Sequence, residues 1–150
     1  MPRLLLLLPT TTYRAADFVA AASALGAQVV VASDRRQAMA SSMGDRSVVV
    51  SLTDPDRAAN AIVALAARAP LDGVVAVDEQ GVLAAATAAE RLGLPHNPPA
   101  AVALTRDKAA MRAALDGRVP QPRFAVAGPG EDVGLVAEGV GFPCVVKPTT

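Results

Sequence analysis

Residues 3–13 read Arg-Leu-Leu-Leu-Leu-Leu-Pro-Thr-Thr-Thr-Tyr, and this stretch decides the architecture. Leu4 to Leu8 form an unbroken apolar run of the kind a strand needs when both of its faces are covered. A strand with one wet face would alternate apolar and polar residues. Pro9 ends the run, and the threonines with Tyr13 make a polar turn. Phe18, Ala21, Ala22 and Leu25 then recur at helical spacing, with Gly26 placed to end the helix. The same sequence of events repeats downstream. Gln28–Ala32 predicts a second strand ending in Ser33 and Asp34, and a short helix through Ala38 and Met39 is expected to stop at Gly44. Val48–Leu52 predicts a third strand. Thr53-Asp54-Pro55-Asp56 has the chemistry of a helix start, with a capping side chain, a proline near the first position and acid in the first turn. Ala58, Ile62, Leu65 and Ala69 follow as its apolar stripe. Gly73–Val77 predicts a fourth strand, and Glu79–Leu92 a helix closed by Gly93. Strand–helix alternation of this kind implies an α/β fold, a parallel doubly wound sheet of four or five strands with helices on both faces and right-handed crossovers.

Composition agrees with a packed core. Of the 150 residues, 52% are hydrophobic and 19% charged, while aromatics are only 3%; the core must therefore be built from Val, Leu, Ile and Ala. The formal net charge is zero, which argues against nucleic acid as a partner, since such binders carry a basic face. The single cysteine, Cys144, excludes an internal disulfide and fits a reducing, cytoplasmic setting. Its apolar surroundings predict a buried, inert thiol. The leucine run is too short for a signal-peptide core and lacks a cleavage site, and nothing approaches the roughly 20 apolar residues of a membrane span.

Ligands of doubly wound sheets sit at the carboxyl ends of the strands. Those ends carry Thr10-Thr11-Thr12-Tyr13, Ser33-Asp34, Thr53-Asp54 and Asp78-Glu79-Gln80. No Gly-x-Gly-x-x-Gly follows the first strand, so a dinucleotide pyrophosphate finds no glycine turn to approach. Asp34 reads as a polar strand-end residue. Thr11 and Thr12 are candidates for holding a substrate carboxylate or phosphate at a helix start, against helix capping as the plainer role. Asp78 and Glu79 are a second substrate-binding candidate, against capping of the next helix. His96, the single histidine, lies in a proline-rich turn where a solvated or backbone-bonded ring is expected. It cannot anchor a metal-ligand cluster, and no metal site is assigned.

Residues 97–150 have a different texture. Asn97-Pro98 can start a short helix, and Asp107 can cap another that begins at Lys108 and carries Met111 and Leu115 on the same side as the lysine. A strand is expected around Phe124 after Pro120 and Pro122. Gly128-Pro129-Gly130 turns into a helix bearing Val133, Val136, Ala137 and Val140. Gly141-Phe142-Pro143 leads to Cys144-Val145-Val146-Lys147-Pro148, read as a buried strand with a charge at its end. Lys108 and Lys147 are the two lysines of the chain; its other twelve basic side chains are arginines. Lysine is a compact point charge and arginine a planar fork, so the two are not equivalent on phosphates. A buried ammonium is costly, so Lys147 calls for an anionic partner or an open cleft.

In order and wording, the asparagine–proline turn, the Asp107-Lys108 helix start, the Phe124 strand and Gly141-Phe-Pro-Cys-Val-Val-Lys-Pro148 resemble the entry segment of an ATP-grasp domain. The family includes biotin carboxylase and carbamoyl-phosphate synthase-like ligases. Residues 1–96 resemble the preceding pre-ATP-grasp domain, and 97–150 the beginning of the ATP-grasp domain itself. The resemblance implies that Lys108 and Lys147 contact the phosphates of ATP. It implies an ATP-dependent ligase that joins a small-molecule carboxylate to an amine or related nucleophile through an acyl-phosphate, with ATP and Mg²⁺ as cofactors in the complete protein. The family's glycine-rich loop, adenine-binding residues and acidic Mg²⁺ ligands are expected beyond Thr150. The chain alone is therefore expected to be an inactive piece, with a homodimer a possible outcome of its unpaired apolar edge. A stand-alone small-molecule-binding α/β domain and an interaction module are the alternatives.

Overall fold

A computed structural model describes residues 1–36 and 43–149, so the expected helix through Ala38 and Met39 falls outside the described residues. The chain divides into two compact units, Met1–Val102 and Ala103–Thr150.

The first unit is built on β1 (Arg3–Leu7), β2 (Gln28–Ser33), β3 (Ser47–Val49) and β4 (Gly73–Ala76). They form a four-stranded sheet in the order β3-β2-β1-β4, with every pairing parallel. The leucine run explains why β1 is central. Leu5 and Leu7 enter one core with Val30, Ala32, Ile62, Ala84 and Ala88. Leu6 and Leu8 enter a second, smaller core with Val31 and Val77 on the opposite face. The larger core is closed by α2 (Pro55–Ala66) and α3 (Val82–Arg91), and the smaller by Ala15 and Phe18 of α1 (Ala15–Ala24). Asp54 caps α2 by accepting from the Arg57 N–H at 3.0 Å, and Pro55 occupies the first position. Leu25 departs from the apolar stripe expected of it: it lies past the last turn of α1, beside Gly26 at φ 65°, and is 76% exposed.

Arg3 is the one buried charge among the described residues. Its Nε donates to Gln28 Oε1, its Nη1 to the Ala69 carbonyl, and its Nη2 to the Asp45 carbonyl and carboxylate. Its backbone N–H donates to Asp72 Oδ2 at 2.7 Å. Every nitrogen of the guanidinium thus has a partner, the condition under which a buried charge is tolerated.

The second unit holds part of α4 (Pro99–Arg106), then α5 (Lys108–Leu115) and α6 (Val133–Val140). Here two expectations fail. The residues around Phe124 and those from Cys144 to Lys147 have no regular secondary structure and form no strand among the described residues. Cys144 is half-buried rather than buried, and Val145 and Val146 are 79% and 66% exposed. A strand exists only by pairing; Pro143 and Pro148 remove backbone donors on either side of the four-residue segment, and no described neighbour supplies a ladder. Phe124 is covered on one side by the Arg112 guanidinium, 5.6 Å above its ring. Arg112 is half-buried, and Lys108, expected on the apolar side with Met111 and Leu115, is exposed.

Candidate functional site

Two places carry the candidate residues, one in each unit. In the first unit the strand order reverses between β1 and β4, since β2 and β3 lie on one side of β1 and β4 on the other. Leu7 pairs with Ala76, and the Val77 N–H donates to the Leu7 carbonyl at 3.1 Å. The chain therefore leaves these two strands side by side, as Pro9–Tyr13 and as Asp78-Glu79. The sheet brings Thr11, Thr12, Asp78 and Glu79 to one carboxyl end, at the point where such sheets open a crevice.

Hydrogen bonds there differ from the capping roles considered for these residues. Thr12 Oγ1 accepts from the Arg14 N–H at 3.2 Å, in the turn before α1, and Arg14 at the N-cap offers no side-chain cap. Asp78 likewise makes no side-chain cap to the 3₁₀ turn Glu79–Gly81 that leads into α3. The helices that start elsewhere behave differently: Asp54, Asp107 and Asp132 each cap their own. The turn after β1 is fixed instead from β2. Asp34 accepts from the Thr10 N–H at 2.7 Å and from Thr10 Oγ1 at 3.0 Å. These bonds, the backbone one foremost, hold the Asp34 carboxyl below the usual carboxylate range. The clamp escaped the sequence reading, although Leu7↔Ala32 pairing places both residues at adjacent strand ends.

In the second unit the backbone brings the two lysine-bearing segments together. The Lys108 N–H donates to the Thr149 carbonyl at 2.7 Å. Lys147 lies two residues from that bond, at most about 7 Å of extended chain. Both side chains are exposed, and among the described residues neither ammonium is in an ion pair. Lys147 therefore bears no burial cost, and both charges are available to an external anion. Asp107 caps α5 through Oδ1, which accepts from the Ala109 N–H at 2.8 Å and the Ala110 N–H at 3.0 Å. A separate open groove of about 620 Å³ lies between α6 and the irregular stretch around Phe124, lined by Val119, Phe124, Leu135, Val136 and Val140 among others.

Neither place holds a metal donor set: among the described residues no three His, Cys, Asp or Glu side chains cluster. His96 is bonded as a turn residue, with Nδ1 2.8 Å from the Leu94 carbonyl and Nε2 3.8 Å from Glu90. Among the described residues no helix is long and apolar enough to cross a membrane.

The family model of the ATP-grasp N-terminal domain matches residues 19–96, just over half of the chain. Among solved structures, the L-amino acid ligase from Bacillus licheniformis is similar at a TM-score of 0.62 and 23% identity, over 77% of this chain and 29% of that one. The phosphoribosylglycinamide synthetase from Anaerococcus prevotii is similar at a TM-score of 0.57 and 19% identity, over 76% of this chain and 28% of that one. At these identities the likeness is one of fold, and the chain spans under a third of either protein. No curated protein matches the chain in sequence.

Proposed function

This chain belongs to the ATP-grasp N-terminal domain family, and on that footing we propose that it supplies two phosphate-binding lysines, Lys108 and Lys147, to an ATP-dependent ligase. The reaction proposed for the whole enzyme joins a small-molecule carboxylate to an amine or related nucleophile through an acyl-phosphate, in the cytoplasm. The relatives named above, a ligase and a synthetase, support a small-molecule substrate. The strand ends of the first unit are the proposed place for it. There the start of α1 carries no side-chain cap, and Thr11, Thr12, Asp78 and Glu79 lie at the same carboxyl end of the sheet.

One observation supports the ATP reading: the 2.7 Å bond from Lys108 N–H to the Thr149 carbonyl joins the two lysine-bearing segments, and both lysines are exposed and, among the described residues, in no ion pair. ATP, when bound, supplies the phosphoryl group. This chain's own part is to neutralise and orient the triphosphate, where positioned cations lower the barrier to transfer. The described residues offer cations for phosphate and no carboxylate cluster for Mg²⁺, so no step is assigned to a metal here.

Titration of Mg·ATP into the chain, followed by NMR, tests the reading. Millimolar, salt-sensitive binding is expected, centred on residues 107–111 and 145–149. At millimolar affinity each charge-assisted contact contributes about 1.5 kcal/mol at most, so Lys108→Ala or Lys147→Ala should each weaken binding up to about tenfold. Binding that both substitutions leave unchanged would refute the assignment.

A further inference from the structure

The carboxyl end of the sheet is polarised across β1. On one side β4 leads into Asp78-Glu79, and on the other β2 leads into Asp34-Arg35-Arg36. The acid of the second group is already engaged: the Asp34 carboxylate accepts from the Thr10 N–H, from Thr10 Oγ1 and, at 3.4 Å, from Ser33 Oγ. Arg35 has no such bond. Its Nε lies 3.9 Å from Asp34 Oδ2, beyond hydrogen-bond reach, and its side chain is 82% exposed. The turn after β1 adds a second guanidinium. There the Thr12 N–H donates to the Pro9 carbonyl at 3.0 Å and the Arg14 N–H to Thr12 Oγ1 at 3.2 Å. The guanidinium carbon of Arg14 lies 5.8 Å from the centre of the exposed Tyr13 ring. Among the described residues Arg14 is in no ion pair, not even with Asp17 one turn on. Two exposed guanidiniums thus stand on turns that Asp34 fastens together, and among the described residues neither is hydrogen-bonded to a carboxylate.

From this we infer that Arg14 and Arg35 recognise an oxyanion of the substrate, and that this oxyanion is not the carboxylate that reacts. The inference rests on the reading given above, in which the substrate lies at these strand ends, and narrows the substrate class. A guanidinium takes a carboxylate or a phosphate through two parallel N–H···O bonds, a geometry that an ammonium does not supply. A carboxylate held in this way has donors on both oxygens. Those bonds stabilise its charged form and lower its basicity, so it is a poor nucleophile toward a phosphoryl group. The acyl-phosphate then forms on a different carboxylate of the same molecule. The substrate is therefore a carboxylate that carries a second oxyanion, either a further carboxylate or a phosphate.

The experiment is NMR titration of the full chain with inorganic phosphate and, separately, with acetate, at constant ionic strength in chloride. At least one of these anions should bind saturably in the millimolar range and move the Nε–H signals of Arg14 and Arg35. Which anion does so distinguishes a phosphate from a carboxylate. Arg14→Gln and Arg35→Gln, both at exposed positions, should each weaken that binding about fivefold. Arg68→Gln removes an exposed arginine at the amino end of the sheet and should leave binding unchanged. Arg35→Lys keeps the charge, loses the fork and should still weaken binding about threefold. Wild-type affinity in Arg35→Lys would reduce Arg35 to a diffuse charge and overturn the second oxyanion. The inference also falls if neither anion binds the first unit, or if both glutamine variants bind as tightly as the wild type. Shifts at residues 10–13 and 78–81 that ignore both arginines would remove the inference and leave the strand ends as the place of the substrate. Shifts confined to the surroundings of Lys108 and Lys147 would remove both.

Discussion

The two units differ in what holds them. In the first, a central strand of leucines buries side chains on both faces, and Leu5, Leu7, Val30 and Ile62 are wholly inaccessible to water. In the second, among the described residues, none is buried: the helices α5 and α6 are capped by Asp107 and Asp132, and the stretches between them are irregular and carry several prolines and glycines. Local chemistry can thus define elements without a core, but it does not pair strands. Hydrophobic burial of roughly 25 cal/mol per Å² is what makes a unit cooperative, and that contribution is concentrated in residues 1–102.

The contrast is open to direct attack. Ile62→Ala removes a side chain at 0% exposure and should lower stability by about 2–5 kcal/mol in urea titration. Val146→Ala, at 66% exposure, should change it by no more than about 0.5 kcal/mol. Comparable losses at the two positions would mean that the second unit owns a core after all. A smaller effect probes the close approach beneath the first turn of α3. A Cβ on Gly81 would overlap Leu7 Cδ2 inside the main core, so Gly81→Ala should cost about 1–3 kcal/mol by the same measurement. By contrast, a Cβ on Gly139 in α6 meets nothing, and Gly139→Ala should leave the midpoint unlowered.

The smallest expected effect is acidic. Asp34 has its carboxyl held below its ordinary value of 3.8, first by the Thr10 N–H. A group whose folded value is depressed stabilises the folded state above its unfolded value and loses that contribution as pH falls through the folded one. Wild type should therefore lose stability more steeply below about pH 3.8 than Asp34→Asn does. Parallel urea midpoints for the two proteins down to pH 2.5 would show that the Thr10 clamp contributes nothing.

What the sequence disclosed follows the same division. Leu4–Leu8 announced a strand covered on both faces because five consecutive apolar residues have no other economical placement beside a polar turn. Asp54 and Asp107 announced their helices because a cap acts on the next three amides and needs nothing distant. Pairing is a non-local property, and the stretches around Phe124 and Val145 have strand-like composition without a described partner. The Thr10–Asp34 clamp and the Thr149 carbonyl depend on which segments become neighbours, one of them through a backbone atom that carries no sequence signature. At the candidate site, the lysines could be named from their rarity, whereas the bond that joins their segments could not.

Arg3 carries a consequence for how the first unit comes apart. One guanidinium grips the carbonyls at Asp45 and Ala69 and the amide side chain of Gln28, while the same residue's N–H holds Asp72. The turn before β3, the exit of α2 and the approach to β4 are thus tied to a single knot at the amino edge of the sheet. None of the three can fray by itself without stranding a charge that the other two still enclose. Amide protons around residues 28, 45, 69 and 72 should accordingly exchange with solvent together, at the rate of global opening, rather than as three independent loops.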